Sequence, residues 1–412
     1  MQSRRSNPAR VNRIAYVNLD GQVMTMAPDG SDQRMLSRDR FFQFPAWSPD
    51  SRHVAAIGSS RASAGIFVFE DEDALSTLPP PVYDSRGGPP IYLYWAPDSR
   101  HLTFLAGLPP QQTMGLRLVS IEGDHTGHLI TTGRPCFWQW APEGDRILLH
   151  QGFAGDNEGR LGFVDPFKPG TSITAENLDQ PGLFQSPGIA PSGEHWAYAR
   201  VNLAGETEIV IDGRRLDEGV TVTHFGIVAL AWSPARDQLA YISPPGPARA
   251  SYGPLRLLEL DGSTRQISDE LALAFFWSPD GNKIAFMTVA TALATVQRAL
   301  GLDPKPDPGG LRAAPEAAAD RTLWLNLWVA DLATGRNQLL KTFRPLDVFI
   351  GRYLPFFDQY AHSHQVWSPD SDAIILNEIR NDIARITVVP IDARAGGPLE
   401  LASGMMPAWS CA

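Results

Sequence analysis

Histidine is the residue type in this chain best suited to acid–base or metal chemistry, and several histidines occupy one fixed position of a repeat. His53, His101 and His195 each stand six residues after a tryptophan or its equivalent. The same position holds arginine, lysine or glutamine in other copies of the repeat. A position that accepts any polar side chain is typical of a solvent-facing site. We therefore predict a structural role for these three histidines.

We also predict a structural role for the aspartates of the repeat. Asp50, Asp98, Asp280 and Asp370 each stand three residues after a tryptophan, behind a proline. Their side chains can accept hydrogen bonds from nearby backbone N–H groups and so define a turn. Because they belong to separate repeats, they do not form a ring of metal ligands. The acidic run at residues 70–73 predicts a solvated turn, since it lacks the alternating ligands and glycine of a calcium loop.

No other group of residues has the spacing of a cofactor or metal site. His125 and His128 share a short turn without a carboxylate or thiolate pattern to complete a metal shell. Cys136 and Cys411 are far apart, which excludes a disulfide framework or a zinc cluster. A glycine-rich phosphate loop is also absent. We predict no metal and no cofactor, although a site drawn from several repeats would leave no local motif.

Composition limits the class of protein. Of 412 residues, 43% are hydrophobic and 19% charged, which predicts a globular chain with a large core. The formal net charge of −10 argues against a nucleic-acid partner. Since no apolar run reaches the length of a membrane span, we expect no membrane insertion. The first residues lack the apolar core of a signal peptide, which predicts a cytoplasmic protein, or a periplasmic or extracytoplasmic one if a leader is missing.

A tryptophan-containing motif recurs along the whole chain. It reads Trp-Ser-Pro-Asp or a close variant, with a degenerate copy at Ile189, and its copies begin at residues 47, 95, 140, 189, 232, 277, 367 and 409. Most intervals are close to 45 residues, and one is 90. In each copy an apolar strand ends on the tryptophan, the Ser-Pro-Asp turn follows, and three further strand patterns complete the unit. A period near 45 residues with four strands is typical of a propeller blade.

The two ends of the chain complement each other. Residues 13–40 contain three strand patterns but no first strand, whereas residues 406–412 are a first strand alone. We predict that this C-terminal strand pairs into the N-terminal blade, because an unpaired edge invites aggregation. The result is an all-β, eight-bladed β-propeller of four-stranded antiparallel blades, with seven blades as the alternative count. It forms one domain over residues 1–412, with residues 1–12 as a tail and 288–322 as a helix and loop inserted in the seventh blade.

The repeated motif resembles that of the TolB-like propeller family, which also forms the propellers of prolyl-oligopeptidase-type peptidases. The resemblance covers residues 13–412 and implies a propeller fold and a binding role. The peptidases also need a hydrolase domain, and no Gly-x-Ser-x-Gly motif occurs in this chain. The resemblance is therefore to the propeller part alone.

Irregular connections carry our functional hypothesis, because function concentrates on variable loops held by a rigid scaffold. They all leave the blades at the end opposite the Ser-Pro-Asp turns. The long linker at residues 343–363 is rich in aromatic residues, which either bury against the predicted helix of the insert, cover the central channel or form a partner surface. The residues predicted to contact a ligand or partner are Arg298, Asp358, Tyr360, His362 and His364.

We therefore expect a monomeric, non-catalytic binding propeller whose partner is a protein or a peptide. Two alternatives stay open at this point. One is a hydrolase or lyase with its site at the mouth of the channel, and the other is a structural module of a larger assembly.

Overall fold

The computed structural model describes residues 11–72, 78–108, 113–122, 127–152, 159–168, 177–179, 181–182, 186–214, 219–247, 251–290 and 323–411. Contacts within the chain divide it into two compact units. Unit 1 comprises Met1–Thr132, Ser363–Leu376 and Ile386–Ala412, and unit 2 comprises Gly133–His362 and Asn377–Arg385. The described helices are a few residues long, and none qualifies as a transmembrane span.

Antiparallel sheets form the first part of the chain. The first three sets of strands are β1 (Ile14–Asn18), β2 (Val23–Met26) and β3 (Arg34–Met35), then β4 (Phe41–Trp47), β5 (His53–Ser59), β6 (Ala64–Glu70) and β7 (Tyr83–Ser85), then β8 (Pro90–Trp95), β9 (His101–Leu108), β10 (Thr113–Ser120) and β11 (His128–Gly133). The second and third sets are four-stranded sheets in which consecutive strands are neighbours. Each is an up-and-down sheet with its first strand, β4 or β8, ending on a repeat tryptophan.

Unit 2 continues the same arrangement. Its strands are β12 (Cys136–Trp140), β13 (Ile147–Gln151), β14 (Arg160–Val164), β15 (Asn177–Asp179), β16 (Gly188–Ile189), β17 (His195–Val201), β18 (Thr207–Gly213), β19 (Val220–Thr223), β20 (Ala229–Trp232), β21 (Leu239–Ile242), β22 (Gly253–Leu258), β23 (Thr264–Trp277), β24 (Lys283–Val289), β25 (Leu325–Asp331) and β26 (Arg336–Phe343). Strands β12–β15 and β16–β19 form four-stranded sheets. The long strand β23 pairs with β22 through its first half and with β24 through its second half, so it is the last strand of one repeat and the first of the next.

The last strands of the chain are β27 (Ala373–Arg380), β28 (Ile383–Pro390) and β29 (Leu399–Trp409), and they continue into β1–β3 in one sheet of order β27-β28-β29-β1-β2-β3. Ile14 faces Trp409 and Val17 faces Met405 in the antiparallel register of β1 and β29. The prediction that the C-terminal strand completes the N-terminal blade is confirmed. The strand starts at Leu399 instead of Met406, and it pairs with β28 as well as with β1.

The Ser-Pro-Asp turn has the hydrogen bonds that its residue types predict. Ser48 Oγ lies 2.5 Å from Asp50 Oδ1 and accepts the N–H of His53 at 3.0 Å. The copy at Ser278 repeats the bonds to Asp280 and to the N–H of Lys283 at 2.5 and 3.0 Å. Each turn therefore fixes the start of the second strand by local bonds, which explains why the motif recurs.

The repeat tryptophans connect neighbouring sheets. Trp95 Nε1 donates to the carbonyl of Ala46 at 3.0 Å, and Trp277 Nε1 donates to that of Ala231 at 3.0 Å. In both cases the acceptor directly precedes the tryptophan of the preceding repeat. The indole thus adds one interstrand hydrogen bond to its burial between the sheets.

Repeated four-stranded, up-and-down sheets with these connections have the β-propeller fold, and the predicted all-β class is confirmed. The count of eight blades and the single-domain organisation stay predictions. The predicted helix-and-loop insert at residues 288–322 lies outside the described residues from residue 291 onward.

Candidate interaction site

The predicted aromatic linker begins with a short run of helical turns in unit 2. After β26 the chain forms a π-helical turn (Phe349–Tyr353), a 3₁₀ turn (Leu354–Phe356) and the short helix α1 (Phe357–Tyr360). We call residues 349–360 the helical segment. It packs against β12, β20 and β23, which are first strands of three repeats. The segment therefore covers the inner strands of this unit.

Aromatic rings anchor the helical segment. Phe357 lies edge-on against Phe275 and Phe276, with ring centroids 5.4 and 5.8 Å apart. Tyr353 stacks on Tyr360 at 5.0 Å. The contacts of Phe357 bury the apolar face of the segment against β23. The stacked tyrosines stabilise the fold of the segment itself.

Asp358 lies inside unit 2, where only 6% of the residue is exposed. Its Oδ2 accepts the backbone N–H of Ser186 at 2.9 Å, and its Oδ1 accepts the N–H of Gln359 at 3.0 Å. Burial raises the pKa of this carboxyl to about 6, against the opposing effect of the two N–H donors. Asp358 consequently fastens the segment to the loop before β16 and does not present its carboxylate to solvent.

The other predicted contacts are also largely enclosed. Tyr360 is 8% exposed and His364 is 4% exposed, whereas His362 is half-buried. In unit 1 the ring of His364 lies edge-on to Phe44 at 5.9 Å, and its Nδ1 is 2.8 Å from Ser363 Oγ. Burial lowers the pKa of both histidines to about 4, so both are neutral at pH 7. Arg298 lies outside the described residues.

The histidines of the repeat are partly exposed, as predicted, and two of them pair with turn aspartates. His101 Nδ1 lies 2.6 Å from Asp98 Oδ2, and His195 Nδ1 lies 2.6 Å from Asp237 Oδ2. Within the described ranges, no group of three histidine, cysteine, aspartate or glutamate side chains is arranged to hold a metal ion.

Exposed apolar side chains concentrate at one end of the sheets. We call this the loop end: the connections from second to third strands and from fourth to first strands. Seven of the eleven exposed large hydrophobic residues of the described chain lie in these connections or at the strand ends beside them. They are Leu19, Phe41 and Ile91 in unit 1, and Leu203, Phe225, Trp324 and Ile383 in unit 2. At the end with the Ser-Pro-Asp turns the corresponding residues are Phe167 and Leu399.

The sequence analysis missed the loop-end apolar residues as a group, and it also missed Gln359. A leucine inside the turn Asn202-Leu203-Ala204-Gly205 was an available signal, since turns of this composition normally hold polar residues. Gln359 had no signal, because its partner Trp138 is 221 residues away in the chain.

Comparisons with known proteins identify the fold. A eukaryotic initiation factor matches 98% of this chain and 98% of its own with a TM-score of 0.55 at 9% identity. Apo AztD from Citrobacter koseri matches 97% of each chain with a TM-score of 0.51 at 10% identity. TolB from Acinetobacter baumannii is 18% identical over 63% of this chain with a TM-score of 0.37, and the match spans 64% of the TolB chain.

Further similar structures, all with TM-scores below 0.5, include the β-propeller domain of the trilobed protease from Pyrococcus furiosus and oligogalacturonate lyases. No family model matches the chain. No curated protein sequence matches it either.

Proposed function

We propose that this protein is a non-catalytic binding module that holds a protein or peptide partner on the loop ends of its sheets. The concentration of exposed apolar side chains at these ends is the observation that carries the proposal. Leu203 is fully exposed, and Phe41 and Phe225 are 53% and 44% exposed. Side chains of this size on loops that leave a rigid scaffold are the usual anchors of a protein interface.

The helical segment supports the proposal by its position. Its inner residues, with Asp358 and Gln359 among them, are bonded to backbone groups of unit 2. Its outer surface includes exposed Arg352 and Pro355 and half-buried Phe349. In this proposal the predicted residues Asp358 and Tyr360 hold the helical segment in place. The side chains on the outer surface of the segment contact the partner.

An enzyme with its site at the inner strands is the alternative function. It would require an acid or base that a substrate can reach. The raised pKa of Asp358 would suit a general acid, but its carboxylate is enclosed and both oxygens accept backbone N–H groups. Binding therefore remains the better supported proposal.

The proposal is tested by affinity capture with the full chain. Wild type, Phe41→Ser, Phe225→Ser and the control Phe167→Ser are immobilised and exposed to lysate of the source cells, with quantitative mass spectrometry as readout. Phe167 is 42% exposed at the opposite end of its sheet and so matches Phe225 in size and exposure. We expect a defined set of proteins to bind wild type and Phe167→Ser and to fall at least tenfold with Phe41→Ser or Phe225→Ser. Equal recovery with all four proteins would contradict the proposal.

A further inference from the structure

The outer strand β19 leaves one edge of its sheet open. Strands β16–β19 form a four-stranded sheet in which β19 is the last strand, and among the described residues it pairs only with β18. Its sequence is Val220-Thr221-Val222-Thr223, so every residue is β-branched and none is charged. Natural edge strands are normally protected by charge, proline or short length. Other outer strands of unit 2 carry charge: β15 ends on an aspartate, and β26 contains arginine and lysine.

The register shows which backbone groups face the open edge. His224 N–H donates to the carbonyl of Thr207 at 3.0 Å, which makes this a hydrogen-bonded pair. Because such pairs alternate in an antiparallel ladder, Val222 and Val220 point their backbone groups toward β18. Thr221 and Thr223 therefore direct their N–H and C=O groups away from the sheet. Within the described residues no other hydrogen bond uses these groups.

The side chains of β19 divide between the core and solvent in the same alternation. Val220 and Val222 are partly buried and pack against the cluster of Ile209, Ile211 and Leu230. Thr221 and Thr223 are exposed. The strand is thus held firmly on one face by its valines, while its open edge and its outer face stay accessible.

Apolar anchors and negative charge lie at the loop end of this strand. Phe225 is the second residue after β19, and Leu203 is in the turn between β17 and β18. Thr207 connects the two places, since its Oγ1 donates to the carbonyl of His224 at 2.5 Å. Leu203 and Phe225 therefore lie at the same end of the sheet, the end at which an added strand would leave the edge.

The charged residues of this region are predominantly acidic. Arg200 bonds Asp179 and Glu208, both at 2.8 Å, and Glu206 is exposed in the adjacent turn. The bonds from Arg200 lower the pKa of Glu208, so its carboxylate stays ionised at neutral pH. Three carboxylates against one guanidinium give a formal charge of 1 − 3 = −2. A basic partner would complement this charge.

We propose that β19 accepts an extended segment of the partner as an additional strand, and that this segment carries both apolar and basic side chains. The inference rests on the proposed function and names its binding mode and partner class. The outward groups of Thr221 and Thr223 offer two donors and two acceptors to the added strand. Leu203 and Phe225 contact its apolar residues, and Glu206 with its neighbours selects lysine or arginine.

A displayed library of random decapeptides tests this mode with the folded full chain. Peptides are selected on wild type, and their affinities are then measured for Thr221→Pro, Thr221→Lys, Glu206→Lys and the control Thr221→Val. Proline removes an outward N–H without removing a bond to β18, and lysine protects the edge if proline disturbs folding. Thr221→Val keeps the backbone and the β-branched shape.

We expect selected peptides to combine β-branched or aromatic residues with lysine or arginine. Their affinity should fall at least tenfold with Thr221→Pro, Thr221→Lys and Glu206→Lys, and stay within twofold with Thr221→Val. Wild-type amide exchange at Thr221 and Thr223 should slow when a peptide is bound. Failure to enrich any peptide would overturn the proposal. So would wild-type affinity of the selected peptides for Thr221→Pro and Thr221→Lys at unchanged thermal stability.

The same variants separate this inference from the proposed function. If captured cellular partners are lost with Phe41→Ser or Phe225→Ser but retained with Thr221→Pro and Thr221→Lys, the binding function stands and strand addition is wrong. If no partner depends on the loop ends, the function itself fails. A dimer of this chain that Thr221→Lys dissociates would identify a second copy as the occupant of the edge and would also overturn the proposal.

Discussion

The side-chain amide of Gln359 makes two hydrogen bonds to the backbone of Trp138, as a neighbouring strand would do. Its Oε1 accepts the N–H of Trp138 at 2.9 Å, and its Nε2 donates to the carbonyl of Trp138 at 3.0 Å. Both residues are buried, with Gln359 4% exposed and Trp138 fully enclosed. The first strand of a sheet has an open inner edge, and in β12 this edge is satisfied by one amide side chain.

Replacing Gln359 by alanine should destabilise the protein strongly. The change leaves a buried N–H and a buried C=O of Trp138 without these partners, which costs about 2–4 kcal/mol of unfolding free energy. Urea unfolding followed by tryptophan fluorescence measures the loss. Gln338→Ala in β26 is the control, because Gln338 is exposed, and its effect should stay within about 0.5 kcal/mol. Equal effects of the two substitutions would contradict this account of Gln359.

The stability should depend on pH through Asp358. Burial raises the pKa of its carboxyl to about 6 in the folded state, against about 3.9 in an unfolded chain. Between these values the folded state binds more protons, so the free energy of unfolding falls as the pH rises from 4 to 7. The difference of about two pKa units corresponds to about 3 kcal/mol.

Asp358→Asn tests this dependence because an amide does not titrate. Urea unfolding of both proteins at pH 4, 5, 6 and 7 gives the difference in unfolding free energy at each pH. We expect the wild type to lose about 2 kcal/mol relative to the variant between pH 4 and pH 7, because the unfolded carboxyl is already about half ionised at pH 4. A difference that stays constant over this range would show that Asp358 does not titrate there.

The indole hydrogen bond between sheets should have a measurable effect on stability. Trp47 and Trp95 occupy the same position of the repeat, and each is 3% exposed. Trp95 Nε1 bonds the carbonyl of Ala46, whereas Trp47 Nε1 lacks a hydrogen-bond partner in the described part of the chain. Trp95→Phe should therefore destabilise the protein by about 1 kcal/mol more than Trp47→Phe does. Chemical unfolding of both variants measures this difference, and a larger loss for Trp47→Phe would oppose it.

The last strand should protect the first strand from association. Removing residues 404–412 deletes the partner of β1 and leaves the edge of Ile14–Asn18 open. We expect light scattering after size exclusion to detect larger species, together with a lower thermal transition than in the full chain. Removing residues 1–9 is the control of equal length, because it precedes the described strands. An unchanged transition and mass after the C-terminal deletion would mean that the pairing contributes little to stability.

Local signals explain why the repeat could be predicted from the sequence. Ser48 and Asp50 bond backbone groups within a few residues of themselves, and Pro49 restricts the backbone between them. The same short-range pattern returns with each tryptophan, so a period near 45 residues was sufficient to predict four-stranded sheets. The closing strand could be predicted from the number of strand patterns in each repeat. Residues 13–40 contain three instead of four, and the end of the chain supplies the missing one.

The location of the linker residues could not be predicted in the same way. Asp358, Tyr360 and His364 have the side chains of surface contacts, yet they are buried. Asp358 meets Ser186 across 172 positions of sequence. No sequence pattern near residue 358 indicates contact with Ser186. The burial of Asp358 is therefore decided only when the sheets of unit 2 assemble.

The sequence by itself determined the strand order, the turns and the pairing of the two ends, because each depends on short-range chemistry repeated along the chain. Only the tertiary structure decided which polar side chains are enclosed and which apolar ones are exposed. Burial depends on contacts between residues far apart in the chain, and these contacts leave no periodic pattern. Leu203 and Phe225 illustrate this, since the fold brings them to one end of a sheet whose outer edge is open.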